Sequence, residues 1–343
     1  MAPEEQGMPN HDIVAIGASA GGLSALKRIV AGLPAGLDAA VLVVQHLKSD
    51  HHGTLPGILE RAGPLPAGFA EDGRPATRGR IHIAPPDHHL LLQEDTLRLN
   101  RGAWENSSRP SIDTLFRSIA VCCGPRSIGV VLTGYLDDGS AGLRALKRCG
   151  AVTVVQDPAD AEYPDMPRNA LAMTEVDHVA ALDAMPGLLA RLVADAAGRP
   201  VPVPPDVQLE ANIMAKDDID NADLLDQLGE RSMFTCPDCG GVLWELNDGD
   251  TLRHRCHIGH AYSAASLGHA MSGEVTKAME TALRTLEERS RMLRRLGEQA
   301  ARQRHAETAR LWSERAKIFA HQAEAIRSTL LRLQAAEEPG RTR

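Results

Sequence analysis

The chain has 343 residues, 45 acidic against 37 basic side chains, a formal net charge of -8 and a pI near 6.0. That balance excludes a whole-molecule attraction to nucleic-acid backbones or anionic membrane surfaces, and the length argues for two or three folded units. No apolar run approaches the roughly 20 residues of a membrane span, and the polar start at 1–12 lacks the apolar stretch of a secretion signal, so a cytoplasmic protein is expected.

Residues 12–195 alternate short β-branched runs with helical patterns, the mark of a parallel sheet covered by helices. Strands are expected at 13–17, 40–45, 80–84, 127–133 and 151–156, helices at 20–33, 54–62, 112–122, 141–149 and 187–194, and a hairpin at 88–100. The predicted fold for 10–195 is a doubly wound, mainly parallel α/β sheet of Rossmann-like topology. Composition then shifts. The run Gly-Arg-Pro-Val-Pro-Val-Pro-Pro-Asp at 198–206 predicts a stiff extended linker, and Asp217, Asp218, Asp220, Asp223, Asp226 and Glu230 predict a mobile or loosely helical stretch, so that 196–232 as a whole reads as linker. A small Cys/His module follows at 233–265. From 266 to 335 the pattern predicts an α-helical hairpin or coiled coil broken near 297–305. Trp312, Ala316, Phe319, Ala323, Ile326, Leu330 and Leu333 form one apolar seam that needs a partner.

Gly17-Ala-Ser19-Ala-Gly21-Gly22 follows the first strand and opens a helix. A serine in such a turn projects its hydroxyl above the sheet edge, while the helix N-terminus offers N–H groups to an anion. By itself the short pattern fits a structural glycine turn or a degenerate dinucleotide loop equally well. His46 ends the second strand, however, and Asp137 and Asp138 follow the strand at 127–133. In a parallel sheet all strand carboxyl ends share one rim, so serine, histidine and an aspartate converge there. Their roles would be nucleophile, general base and orienting carboxylate, with Asp137 and Asp138 equal candidates on these grounds. A nucleotide-binding oxidoreductase would want glycine in place of Ser19 and an acidic residue where Gln45 and His46 stand. His51, His52, His88 and His89 fall in expected loops and read as solvated or structural. A regulatory adaptor using the fold only to bind is the alternative from another functional class, favoured had a triad position been lost.

The stretches Gly17-Ala-Ser-Ala-Gly-Gly22, Val44-Gln-His46, Ile83-Ala-Pro-Pro-Asp-His88, Ser108-Arg-Pro-Ser-Ile-Asp113 and Leu132-Thr-Gly-Tyr-Leu-Asp-Asp-Gly139 together resemble the CheB-type protein-glutamate methylesterase domain. The resemblance implies a triad of Ser19, His46 and Asp138, the carboxylate just before Gly139. It also implies hydrolysis of glutamyl methyl esters on chemoreceptors with release of methanol, deamidation of receptor glutamines in many members, and no cofactor for catalysis. It places an oxyanion-binding backbone N–H in the turn of Gly134 and Tyr135, where methionine is common at the tyrosine. Ala20, expected with Gly134, Tyr135 and Arg109 among the oxyanion- and substrate-binding positions, stands where threonine is frequent. Arg109, beside a helix start that Ser111 is suited to cap, is expected either to recognise an acidic neighbour of the scissile ester or to serve the helix end. The best-known members carry an N-terminal receiver domain, and this chain is similar instead to stand-alone methylesterases with a C-terminal extension.

Six cysteines are too sparse for a disulfide scaffold. Cys236 and Cys239 form a C-x2-C pair, Cys256 and His260 a C-x3-H pair, and a spacer of sixteen separates them. Three thiolates and one imidazole suit a structural tetrahedral zinc, with strands at 242–246 and 251–255 between; His254 and His257 are the rival fourth ligands. Redox chemistry at the C-x2-C pair is the competing reading. Cys122, Cys123 and Cys149 read as packing residues. The expected partners are a methylated chemoreceptor-like protein, other signalling proteins docking on the helical tail, and a second copy of the chain.

Overall fold

The computed structural model describes residues 10–46, 53–215, 221–248 and 251–337. His51, His52, Asp217, Asp218, Asp220 and the chain up to residue 9 lie outside them. The described residues form two compact units that divide between Leu267 and Gly268.

The first unit begins with β1 (Ile13–Ala18), α1 (Gly22–Gly32), β2 (Ala40–Gln45), α2 (Thr54–Ala62), β3 (Ala67–Phe69), β4 (Arg80–Ile83), the hairpin β5 (His89–Gln93) and β6 (Thr96–Asn100), and α3 (Ile112–Cys122). It continues through β7 (Ser127–Val131), α4 (Ser140–Arg148), β8 (Val152–Gln156), α5 (Asp165–Met173), β9 (His178–Ala180) and α6 (Met185–Ala194). Seven strands pair in the order β3-β4-β2-β1-β7-β8-β9, all in parallel. The central strands are apolar at almost every position because each sheet face is covered. Val14, Ile16, Val41 and Val43 face Leu26, Leu59 and Leu189 of α1, α2 and α6, whereas Ala15, Leu42 and Val44 face Leu115, Phe116, Leu143 and Met166 of α3, α4 and α5. From β1 the chain winds outward through β2 to β4, then returns beside β1 as β7. The direction of winding reverses there, so the carboxyl ends of β1 and β7 flank the crevice where open α/β sheets bind their ligands.

β3, β9 and α5 were not expected from the sequence. Two are three-residue edge strands, too short to show an alternation, and α5 is only nine residues long with Pro167 inside it, too short to set a helical period. The larger difference lies at 196–232. Instead of a free linker, it contains α7 (Pro205–Ala215) and α8 (Ala222–Leu228), so the divisions expected near 195 and 232 fall inside one compact unit. Pro205 opens α7, where its missing N–H has no intrahelical role; Val207 enters the core beneath α3, and Asp206 pairs with Arg148.

α7 also carries Glu210, which the chain buries among arginines. Glu105 accepts from Arg117 at 3.1 and 3.2 Å and from Arg255 at 2.6 Å, and Glu210 accepts from Arg253 at 2.6 and 2.9 Å and from Arg255 at 3.1 Å. Burial pushes both carboxyls up, but the surrounding guanidiniums outweigh it and hold them below the usual range. This cluster joins α3 and α7 to the strands β10 (Gly229–Thr235), β11 (Val242–Asp248), β12 (Thr251–Cys256) and β13 (Ala261–Ser263), an antiparallel sheet larger than the two-stranded ribbon expected. Breaking one partner leaves charge buried with too few counter-ions, so Arg255→Ala is expected to destabilise the first unit by about 3 kcal/mol or more. A urea midpoint of the full chain equal to wild type would contradict it.

The second unit continues α9 (Ala264–Arg302) into α10 (Ala306–Glu337). Leu293 and Ala300 of α9 are buried with Ala316, Ala323 and Leu330 of α10, and Ser290 Oγ donates to the Ala316 carbonyl at 2.9 Å. The predicted seam thus has buried members within the hairpin. Among the described residues no helix is long and apolar enough to cross a membrane.

Candidate active site and metal centre

Ser19 leaves β1 through a turn that Gly21 makes possible, with φ of 73° in the left-handed region. Its N–H donates to the Thr133 carbonyl at 3.0 Å, and the His46 N–H donates to the Ala18 carbonyl at 3.1 Å, so each residue continues the ladder of its strand onto the shared rim. The Gln45 side chain locks the two together, donating from Nε2 to the Ser19 carbonyl at 2.8 Å and to the His46 carbonyl at 3.0 Å. Gly134 must lack a side chain, because a Cβ there would stand 2.7 Å from the Ser19 Cβ and 2.0 Å from Met166 Sδ.

Ser19 Oγ is 3.1 Å from His46 Nδ1, and His46 Nε2 is 2.8 Å from Asp138 Oδ2. With Nε2 as the protonated nitrogen, Nδ1 is left to accept from the serine hydroxyl. Asp138 rather than Asp137 reaches the imidazole. Asp138 also fills the place expected for Ser111 at the start of α3. Ser111 Oγ donates to Asp138 Oδ1 at 2.9 Å and makes no capping bond, and the helix amides of Ile112 and Asp113 donate to Asp138 at 2.7 and 3.2 Å. An anion at a helix N-terminus is stabilised by those orphan donors and the helix dipole. Burial pushes the Asp138 carboxyl up, but the His46 hydrogen bond and charge, with the Ile112 amide and Asn106, outweigh burial and hold it below the usual carboxylate range. Neighbouring Asp113 has the opposite fate: burial and the Asp138 charge raise it to about 7. Asp137 is buried without contact to His46, and burial raises its carboxyl.

Of the other expected residues, Gly134 directs its N–H to the Tyr163 carbonyl at 2.9 Å, and the Ala20 carbonyl accepts from Thr133 Oγ1 at 3.1 Å. Tyr135 is exposed and packs edge-on against Tyr163, with ring centroids 4.6 Å apart. A shallow hollow lined by Ser19, Gly21, Leu23, Lys27 and Gln45 opens beside the serine. Arg109 is engaged within the protein, donating to Asp87 at 2.5 and 2.9 Å and to the carbonyls of Arg101 and Gly102. Its guanidinium also covers the Trp104 ring. Gln45, Asn106 and Asp113 escaped the sequence reading. Gln45 was legible as the residue before His46; nothing local distinguishes Asn106 among loop polar residues.

In the ribbon, ligand atoms of Cys236, Cys239, Cys256 and His260 lie within 4.8 Å of one another. Cys239 Sγ is 3.7 Å from Cys256 Sγ, and His260 Nδ1 is 3.6 and 3.4 Å from the sulfurs of Cys236 and Cys256. A tetrahedral zinc with Zn–S near 2.3 Å requires ligand separations of about 3.8 Å, so the donor set fits the ion in number, chemistry and spacing. Tyr262 Oη donates to Asp238 at 2.5 Å and lies 3.4 Å from Cys236 Sγ, the kind of outer contact that orients a ligand. His254 stands apart, its ring edge-on to Phe234 at 5.7 Å.

A doubly wound parallel sheet that gathers hydroxyl, imidazole and buried carboxylate at its switch point defines an α/β protein of hydrolase type. The model of the family described as CheB methylesterase matches residues 14–189, and the chain belongs to that family. It is 39% identical over 184 residues to a Leptospira interrogans protein provisionally named protein-glutamate methylesterase/protein-glutamine glutaminase, a match covering 53% of this chain and 95% of that one. It is 41% identical over 185 residues to protein-glutamate methylesterase/protein-glutamine glutaminase 3 of Anaeromyxobacter dehalogenans, where the match takes in 53% of this chain and 54% of the relative. The crystal structure of the Thermotoga maritima CheB methylesterase catalytic domain superposes with a TM-score of 0.52 at 30% identity, covering 54% of this chain and 100% of that one.

Proposed function

We propose that the chain hydrolyses glutamyl methyl esters on chemoreceptor-like proteins in a chemotaxis-type pathway, with Ser19 as nucleophile, His46 as general base and acid, and Asp138 as orienting carboxylate. The observation that carries this is the continuous relay from Ser19 Oγ through both nitrogens of His46 to Asp138, at 3.1 and 2.8 Å. Ser19 Oγ attacks the ester carbonyl carbon while its proton passes to His46 Nδ1; the tetrahedral oxyanion collapses, and the same proton leaves with the methoxy oxygen as methanol. Water then attacks the acyl-serine, His46 takes its proton and returns it to Ser19 Oγ, and glutamate is released. Asp138, kept anionic by the α3 amides, stabilises the imidazolium in both halves. The backbone amides of Ala20 and Tyr135 are the oxyanion donors in this reading, since that of Gly134 is already engaged. The same steps on a glutamine release ammonia, in keeping with the names of the relatives.

In this reading Arg109, engaged by Asp87 and the carbonyls of Arg101 and Gly102, serves the loop before α3 rather than the substrate. The ribbon holds one structural zinc through Cys236, Cys239, Cys256 and His260, four protein donors that leave no open position for substrate. Exposed Met292, Ile318 and Leu331 on the helical unit are the candidate surface for signalling partners or a second copy. A cytoplasmic location accords with a receptor substrate.

The test incubates the full chain with a receptor cytoplasmic fragment labelled in its glutamyl methyl esters and measures released methanol. Labelled methanol is expected, and its absence while the fragment is bound would favour the adaptor.

A further inference from the structure

The family match ends at residue 189, yet the hydrogen bonds around Asp138 run beyond it. Asn106 is buried and donates from Nδ2 to Asp138 Oδ1 at 3.1 Å and to Asp113 Oδ2 at 2.9 Å. An amide that serves two carboxylates must present its NH2 group to them and turn its oxygen away. That oxygen accepts from the Ser263 N–H at 3.1 Å and from Ser266 Oγ at 3.0 Å. Both serines belong to the ribbon end: Ser263 closes β13, and its hydroxyl accepts from the Ser266 N–H at 3.0 Å as the cap of α9. The backbones join as well, for the Asn106 N–H donates to the Ala261 carbonyl at 2.8 Å and the Ala261 N–H donates to the Trp104 carbonyl at 3.1 Å. β13 begins one residue after His260 of the Cys/His cluster.

We infer that the ribbon is a working part of the ester-cleaving site: Ser263 and Ser266 fix the amide of Asn106, and Asn106 fixes the Asp138 carboxylate that orients His46. The inference rests on the triad reading above. Asn106 touches neither the substrate nor the reacting atoms, so it is a positioning residue, and Ser266 is its anchor. Without donors on its oxygen side the amide loses half of what selects its orientation, and a turned amide would set an oxygen against two carboxylates. Asp138 would then shift relative to the imidazole, and small misplacements of a catalytic group are costly in rate. The loss falls on the chemical step, because nothing in this chain of contacts reaches the hollow beside Ser19.

The test measures kcat and KM of the full chain for methanol release from the labelled receptor fragment. Ser266→Ala removes one oxygen and is expected to lower kcat about 10-fold with KM unchanged, and Asn106→Ala to lower it on the order of 100-fold. The double variant should be no slower than Asn106→Ala alone, because the serine acts only through the asparagine. Wild-type kcat in Ser266→Ala, additive losses in the double variant, or a loss confined to KM would each overturn the inference. Ser19→Ala separates the two readings: if it is inactive while the ribbon variants keep wild-type kcat, only this inference fails, whereas a Ser19→Ala chain that still releases methanol removes the triad beneath it.

Discussion

Replacing Ser19 by alanine is expected to lower methanol release by about a thousandfold or more, and His46→Ala to do the same. Ser19 Oγ and His46 Nδ1 share one hydrogen bond at 3.1 Å, so neither is useful without the other. The double variant should therefore be hardly slower than either single one; residues that merely shape a cleft would give losses that add. Asp138→Asn should also be severe. An asparagine keeps one accepting oxygen and sets an NH2 donor where the other stood, yet Asp138 accepts at both oxygens from the imidazole, the hydroxyl of Ser111, two helix amides and Asn106. Asp137→Asn should be mild, since that carboxylate does not reach His46. A folded Ser19→Ala chain with wild-type turnover would refute the covalent mechanism.

The other large effect is expected at the Cys/His cluster. The purified chain should carry one zinc, and Cys256→Ser should lose it together with the order of the strands between Gly229 and Ser263. Their apolar cluster is small, with Ile213, Leu225, Leu228, Trp244 and Leu246 as its buried members, whereas metal binding in modules of this size contributes about 10–16 kcal/mol. Elemental analysis and amide hydrogen exchange check this together. Well under half an equivalent of zinc with β11 and β12 still protected would sink it, and a disulfide found by thiol counting would point to the redox reading instead.

The asymmetry between what was and was not legible has a physical cause. Ser19, His46 and the Asp137-Asp138 pair were recoverable because a parallel sheet turns a one-dimensional rule into a three-dimensional one: residues at strand carboxyl ends meet on one rim whatever lies between them. The meeting of Cys236, Cys239, Cys256 and His260 was legible because groups that could hold one ion must cluster, and paired spacings record that need locally. The segment 196–232 misled for the converse reason. Its prolines and acids have the composition of a solvated linker, and Glu210 is burial-compatible only because Arg117, Arg253 and Arg255 surround it from positions up to 93 residues away. Ser111 was legible as a cap by type, but a carboxylate from the loop after β7 competes for the same helix amides and wins because it brings a full charge. Arg109 has two plausible uses by type, and the loop carrying Asp87 decides which donors it has left.

By itself the sequence determined the parallel α/β sheet, the family, the elements that carry the serine and the histidine, and the presence of a Cys/His cluster, since each is written in local periodicity or in spacing short enough to survive folding. Periodicity left Asp137 and Asp138 equal, and only the resemblance at Gly139 separated them; the tertiary structure alone decided that Asp138 caps α3 and that Asn106 ties it to Ser263 and Ser266. These depend on buried hydrogen bonds between groups as much as 160 residues apart, whose strength comes from exclusion of water and therefore exists only once the chain has closed around them.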